Sequence, residues 1–140
     1  AQFMHRFQSR FGAAPVVWHS NLTASRRREI WHGVLSGKIR MVVGTRSALF
    51  LPWQKLGLIV IDEEHENSYK SETAPRYHAG DIAIKRGIDS GAPVLFASAT
   101  PEVSRYYKAL NGEYTLFEMS TDKSVLQSNL LLSVIIRSSI

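Results

Sequence analysis

Three acids and a histidine, Asp62-Glu63-Glu64-His65, follow directly on a mostly apolar run at residues 56–61. Carboxylates at the end of a buried strand suit the holding of a divalent cation and the activation of a water. Phosphoryl transfer from a nucleoside triphosphate asks for both, with charge neutralisation on the phosphates. Magnesium keeps several of its waters and takes only one or two protein carboxylates, so a single strand-end Asp can hold it. A neighbouring Glu can orient and deprotonate the attacking water. Asp62 and Glu63 would divide those roles. The competing reading is a strand that reaches the surface in a solvated acidic turn, and the tetrapeptide alone leaves both open. A histidine-based zinc motif is excluded, because H-E-x-x-H needs a second histidine four residues after His65 and Tyr69 stands there.

Four short apolar runs would position such residues, at 15–18, 39–43, 58–61 and 94–97. They are rich in Val and Ile and mostly continuous, the pattern of strands covered on both faces in a parallel sheet. Helical patterns lie around them. Phe3, Met4, Phe7 and Phe11 recur at helical spacing up to Gly12. Thr23 is placed to cap a helix reaching about Leu35, with Trp31, Val34 and Leu35 on its buried side and Gly37 closing it. Asp81 is expected to open a helix that carries Ile82 and Ile88 and ends at Ser90-Gly91. Another is expected over residues 102–110, stopping at Asn111-Gly112. The alternation predicts an α/β fold, a parallel sheet with crossover helices. Trp18, Trp31 and Trp53 are expected as core anchors. Residues 130–136 read either as a strand or as part of a tail foreign to the fold, so the expected domain is 1–119 with a tail of open status at 120–140.

Each apolar run is followed by polar residues: His19-Ser20, Gly44-Thr45-Arg46-Ser47, Asp62-Glu63-Glu64-His65 and Ser98-Ala99-Thr100-Pro101. Ligands of open parallel sheets bind beyond the carboxyl ends of the strands. The expectation is therefore that all four tails gather on one edge and build a site there.

Composition narrows the chemistry further. A length of 140 residues fits one domain, and 44% hydrophobic against 21% charged residues allows a packed core. A formal net charge of +5 favours a polyanionic partner, nucleic acid before membrane. With no cysteine, disulfides, thiolate nucleophiles and cysteine zinc sites are excluded within this chain. No stretch has the apolar length of a membrane span. The first residues carry no initiator Met and no signal-peptide core, and the expectation is a piece of something longer.

The segments GTRSALF, DEEHENSYK, RYHAGD and SATP, in that order, together with the spacer RFGAAPVVWHSNLTASRRREIW, resemble the primosomal protein N′ (PriA) family of replication-restart helicases, within superfamily 2. The resemblance runs from about Phe3 to Met119. It implies a RecA-like ATP-binding domain of an ATP-dependent 3′-to-5′ DNA helicase. Asp62-Glu63-Glu64-His65 matches the Walker B box, so that Asp62 would hold magnesium, Glu63 would be the catalytic base and His65 would link the nucleotide to the coupling motif. Ser98-Ala99-Thr100 matches that coupling motif. Gly44-Thr45-Arg46-Ser47 matches a segment that runs near the DNA backbone, which makes Thr45 and Arg46 candidate DNA contacts. Ser68, Tyr69, Lys70, Arg76, Tyr77 and His78 fall in an aromatic-rich loop that senses single-stranded DNA. Rings interleaved with cations can stack bases and neutralise phosphates, although Tyr69 and Tyr77 also read as packing residues. The implied cofactors are ATP and Mg2+, with zinc bound elsewhere in the family's proteins and not by this chain. The implied partners are single-stranded and forked DNA, the restart primosome and single-strand-binding proteins, in the bacterial cytoplasm at the nucleoid, with no membrane.

No G-x-x-x-x-G-K-[ST] phosphate loop is present, and Gly37-Lys38 is followed by Ile39; the resemblance implies that this loop lies upstream of Phe3. Two stretches depart from the family pattern, the tail after Met119 and one local position. The family reads RYHARD where this chain has RYHAGD, with Gly80 in place of an arginine. Three other readings stay open: a related superfamily 2 translocase, a nucleic-acid-binding module with a dead ATPase site, and the product of a chance reading frame.

Overall fold

A computed structural model describes residues 2–63, 69–71, 74–119 and 132–137. The chain divides into two compact units, Ala1–Lys55 and Leu56–Ile140.

The first unit begins with helix α1 (Gln2–Phe11), along which Phe3, Phe7 and Phe11 form a ladder with ring centroids 5.8 and 4.5 Å apart. Gly12 ends it at φ +73°, a left-handed position that glycine adopts without a Cβ clash. Strand β1 (Val16–Trp18) pairs in parallel with β2 (Val42–Gly44), Val16 opposite Val42 and Trp18 opposite Gly44. Helix α2 (Ala24–Leu35) makes the crossover between them. Its N-cap is Thr23, whose hydroxyl accepts the Arg26 N–H at 3.2 Å, as expected. A 3-10 helix, Arg46–Phe50, follows β2. The unit's core is Ile30, Val34 and Leu51, with Val16, Trp18, Leu22, Ile39, Val42, Ala48 and Trp53 packed around it.

Two packing expectations need correction here. Trp31 and Leu35 are 42% and 41% exposed, so neither anchors the core. The buried stripe of α2 runs through Ile30 and Val34, one turn apart on the same face. Gly33 lies between them, and a Cβ there would stand 2.5 Å from Ile39 Cδ1, which turns this face inward. Strand β2 also starts later than residue 39, because the Ile39 N–H is already bonded to Gly33 O at 2.9 Å in closing the helix.

The second unit holds a four-stranded sheet in the order β3-β4-β6-β5. Strands β3 (Ile59–Asp62) and β4 (Val94–Ser98) are parallel, with helix α3 (Ala79–Ser90) between them in sequence. Helix α4 (Val103–Leu110) and strand β5 (Thr115–Met119) follow, and β6 (Leu132–Arg137) runs antiparallel to both β4 and β5. Residues 132–137, within the segment read as a tail of open status, are thus a sheet strand. Helix α3 is opened by His78, not Asp81: His78 Nδ1 accepts the Gly80 N–H at 3.1 Å. Its buried face consists of the small residues Ala79, Gly80, Ala83 and Gly87, while Ile88 is 50% exposed. Gly91 closes it at φ +66°.

The fold class is the expected one, α/β with parallel strands joined through helices. Among the described residues the strands fall in two sheets, one in each unit. The parallel strands pair two by two, β1 with β2 and β3 with β4, and β4 meets antiparallel β6 on its other side.

Candidate functional site

Parallel pairing in register is what brings the two chemical tails of the second unit together. Ile59 lies opposite Val94 and Asp62 opposite Ala97, so both strands end at the same level. Alternation along β3 buries Ile59 and Ile61 and leaves Val60 and Asp62 exposed. Asp62 therefore presents its carboxylate at the carboxyl end of the strand, on the solvent side. Its Oδ1 accepts the backbone N–H of Glu63 at 3.0 Å. Glu63 follows at φ +49°, a left-handed conformation uncommon for a residue with a side chain. The chain thus bends sharply as it leaves the strand, and two successive acids stand exposed at its end.

Across from them, β4 ends in Ser98, which is 1% exposed. Its Oγ accepts the Thr100 N–H at 3.0 Å, a tight hydroxyl turn that fixes the backbone of Ser98-Ala99-Thr100. Beneath it, Arg105 from α4 is 5% exposed. Its guanidinium lies 4.6 Å over the ring of Phe96 in β4, pairs with Glu102, and reaches Asp81 of α3 at 3.5 Å. Sequence reasoning did not single out Arg105. The signal available was its spacing of three from Glu102, which on a helix makes a pair.

The segment after the acids folds back on itself. Lys70 and His78 form an antiparallel bridge, and the Ser71 N–H donates to Tyr77 O at 2.8 Å. This stem holds Lys70, Arg76 and Tyr77, which the resemblance put in one loop. Lys70 and Arg76 are exposed, Tyr77 is half-buried, and His78 serves as the cap of α3. Tyr69 is half-buried, and its hydroxyl donates to the backbone carbonyl of Asp62. His65 and Ser68 lie outside the described residues.

Thr45 and Arg46 belong to the first unit. Thr45 is exposed at the end of β2, its N–H donating to Trp18 O at 3.1 Å and its hydroxyl 3.2 Å from that of Ser47. Trp18 Nε1 donates to Ser47 Oγ at 3.0 Å. The ends of β1 and β2 are thereby tied together. Gly44 permits this, since a Cβ there would stand 2.4 Å from Trp18 O.

A magnesium ion fits this donor set better than a structural metal would. Among the described residues no group of three or more His, Cys, Asp or Glu could hold a metal ion. What is present is an exposed strand-end carboxylate with a second acid beside it, the sparse protein contribution that magnesium accepts when phosphates and waters supply the rest. Among the described residues, no helix is long and apolar enough to cross a membrane.

The model of the DEAD/DEAH box helicase family matches residues 1–109. The chain is 45% identical over 118 residues to the Replication restart protein PriA of Bacillus subtilis (strain 168), a match covering 84% of this chain and 15% of that protein. The namesake of Rickettsia felis is 44% identical over 115 residues, covering 82% and 18%, and that of Chlamydia muridarum 43% over 120 residues, covering 85% and 16%. The chain therefore spans less than a fifth of the length of these curated relatives. With a family model matched over most of its length, and with the parallel strand ends and acidic turn described above, the chain belongs to the DEAD/DEAH box helicase family.

Proposed function

We propose that the protein is an ATP-dependent DNA helicase of replication restart, and that this chain contributes the metal-and-water side of its nucleotide site. The observation that carries this reading is the pairing of Asp62 with Ala97 in parallel register, which sets the acidic turn beside the Ser98-Ala99-Thr100 turn. Asp62 would hold Mg2+, and the ion, when bound, would neutralise charge developing on the phosphates. Glu63 takes the proton of the attacking water. The phosphate-cradling residues would come from elsewhere in the protein, as would the zinc site. The Ser98–Thr100 turn, at the end of the strand next to that carboxylate, would couple hydrolysis to strand movement. Thr45 and Arg46 would contact the DNA backbone, while Lys70, Arg76 and Tyr77 would meet single-stranded DNA. Forked DNA, the restart primosome and single-strand-binding proteins are the proposed partners, and the bacterial cytoplasm the proposed location.

Strand separation on forked DNA tests the reading in the full-length protein that carries this chain. Unwinding with 3′-to-5′ polarity is expected, dependent on ATP and Mg2+, and lost in Asp62→Asn. Salt-dependent single-strand binding with no effect of nucleotide and no turnover would instead make the chain part of a binding module.

A further inference from the structure

Tyr69 directs its polar end at the acidic turn itself. Its hydroxyl donates to the carbonyl of Asp62, the residue that would hold the metal. That carbonyl joins Asp62 to Glu63, whose backbone sits at φ +49°. A side-chain-bearing residue in that region is held there by its surroundings, since the conformation is strained on its own. The bonds that hold it include the Glu63 N–H on Asp62 Oδ1 and the Tyr69 hydroxyl on Asp62 O. The backbone immediately after Tyr69 is paired, Lys70 against His78 and Ser71 against Tyr77.

We infer that Tyr69 is a positioning residue for ATP hydrolysis, its phenol latching the Asp62–Glu63 turn so that the Glu63 carboxylate is aimed at the attacking water, and that it is not a base-stacking contact. The inference rests on the functional reading above. It assigns Tyr69 to the nucleotide side of the loop and leaves Tyr77 and the exposed Lys70 and Arg76 to the nucleic-acid side.

The test compares Tyr69→Phe, which keeps the ring and removes the hydroxyl, with Tyr69→Ala in the full-length protein. Steady-state ATP turnover is measured with saturating single-stranded oligonucleotide, and oligonucleotide affinity is measured separately. A latch predicts that Phe lowers kcat about tenfold, with KM for ATP and oligonucleotide affinity unchanged, and that Ala lowers kcat as much. Wild-type kcat in Tyr69→Phe overturns the inference. So does a Tyr69→Ala defect confined to oligonucleotide affinity and restored by Phe, which is the signature of stacking. Should Ala fail to fold, the kcat of the Phe variant decides alone. Absence of ATP turnover in the unsubstituted protein overturns the functional reading, and this inference with it.

Discussion

Arg105 is a buried charge tied to its neighbours on several sides. Its guanidinium is stacked on Phe96, paired with Glu102 and Asp81, and crowded by the bare backbone of Gly80. A Cβ at Gly80 would stand 2.3 Å from Arg105 Nη2 and 3.1 Å from His78 Nδ1. In the sequence, Gly80 reads as a missing arginine. In the fold it is the space that a different arginine occupies. Arg105→Ala is expected to cost about 1–3 kcal/mol, read from the denaturant midpoint. Gly80→Ala should also lower that midpoint, and by less in the Arg105→Ala background than alone. Additive costs in that double-mutant cycle would contradict the contact. The acids and the Ser98-Ala99-Thr100 turn were legible because their residue types announce chemistry. The bond from the Tyr69 hydroxyl to Asp62 O was not, because a tyrosine's hydroxyl finds its acceptor only once the chain has turned.

Elements were legible where local signals set them. Thr23, Gly12, Gly91 and Gly112 mark helix ends in the sequence, and the cap bond of Thr23 and the positive φ of each glycine bear this out. Thr23→Ala should lower stability by about 1 kcal/mol through loss of the Arg26 N–H bond. Helix faces were harder. Trp31 is the larger apolar residue, yet it is Ile30, 0% exposed, that meets Val34 and Leu51. Ile30→Ala is expected to cost about 2–5 kcal/mol, and Trp31→Ala about 1 kcal/mol or less. Equal costs in thermal unfolding would contradict the assigned face. The mid-helix Gly33 was the available clue, since glycine in a helix interior is unfavourable unless something packs against it. Strand pairing across long sequence distances is not written in any one segment, so the antiparallel place of Leu132–Arg137 beside β4 was beyond reach.

For the whole molecule, the net charge of +5 and the stem that collects Lys70 and Arg76 point to phosphate contacts. In the full-length protein, log affinity for a single-stranded oligonucleotide should fall linearly with log salt. Arg46→Ala and Lys70→Ala should each reduce that slope by about 0.7, the share of one phosphate contact. An unchanged slope would remove that residue from the interface. The account stands, above all, on the division of labour between Asp62 and Glu63. The most direct measurement is ATP binding and single-turnover hydrolysis by the full-length protein carrying Glu63→Gln. The account predicts that ATP and Mg2+ still bind with near wild-type affinity while hydrolysis is lost by several orders of magnitude. Hydrolysis at the wild-type rate would contradict it and return the acidic turn to a solvated strand end.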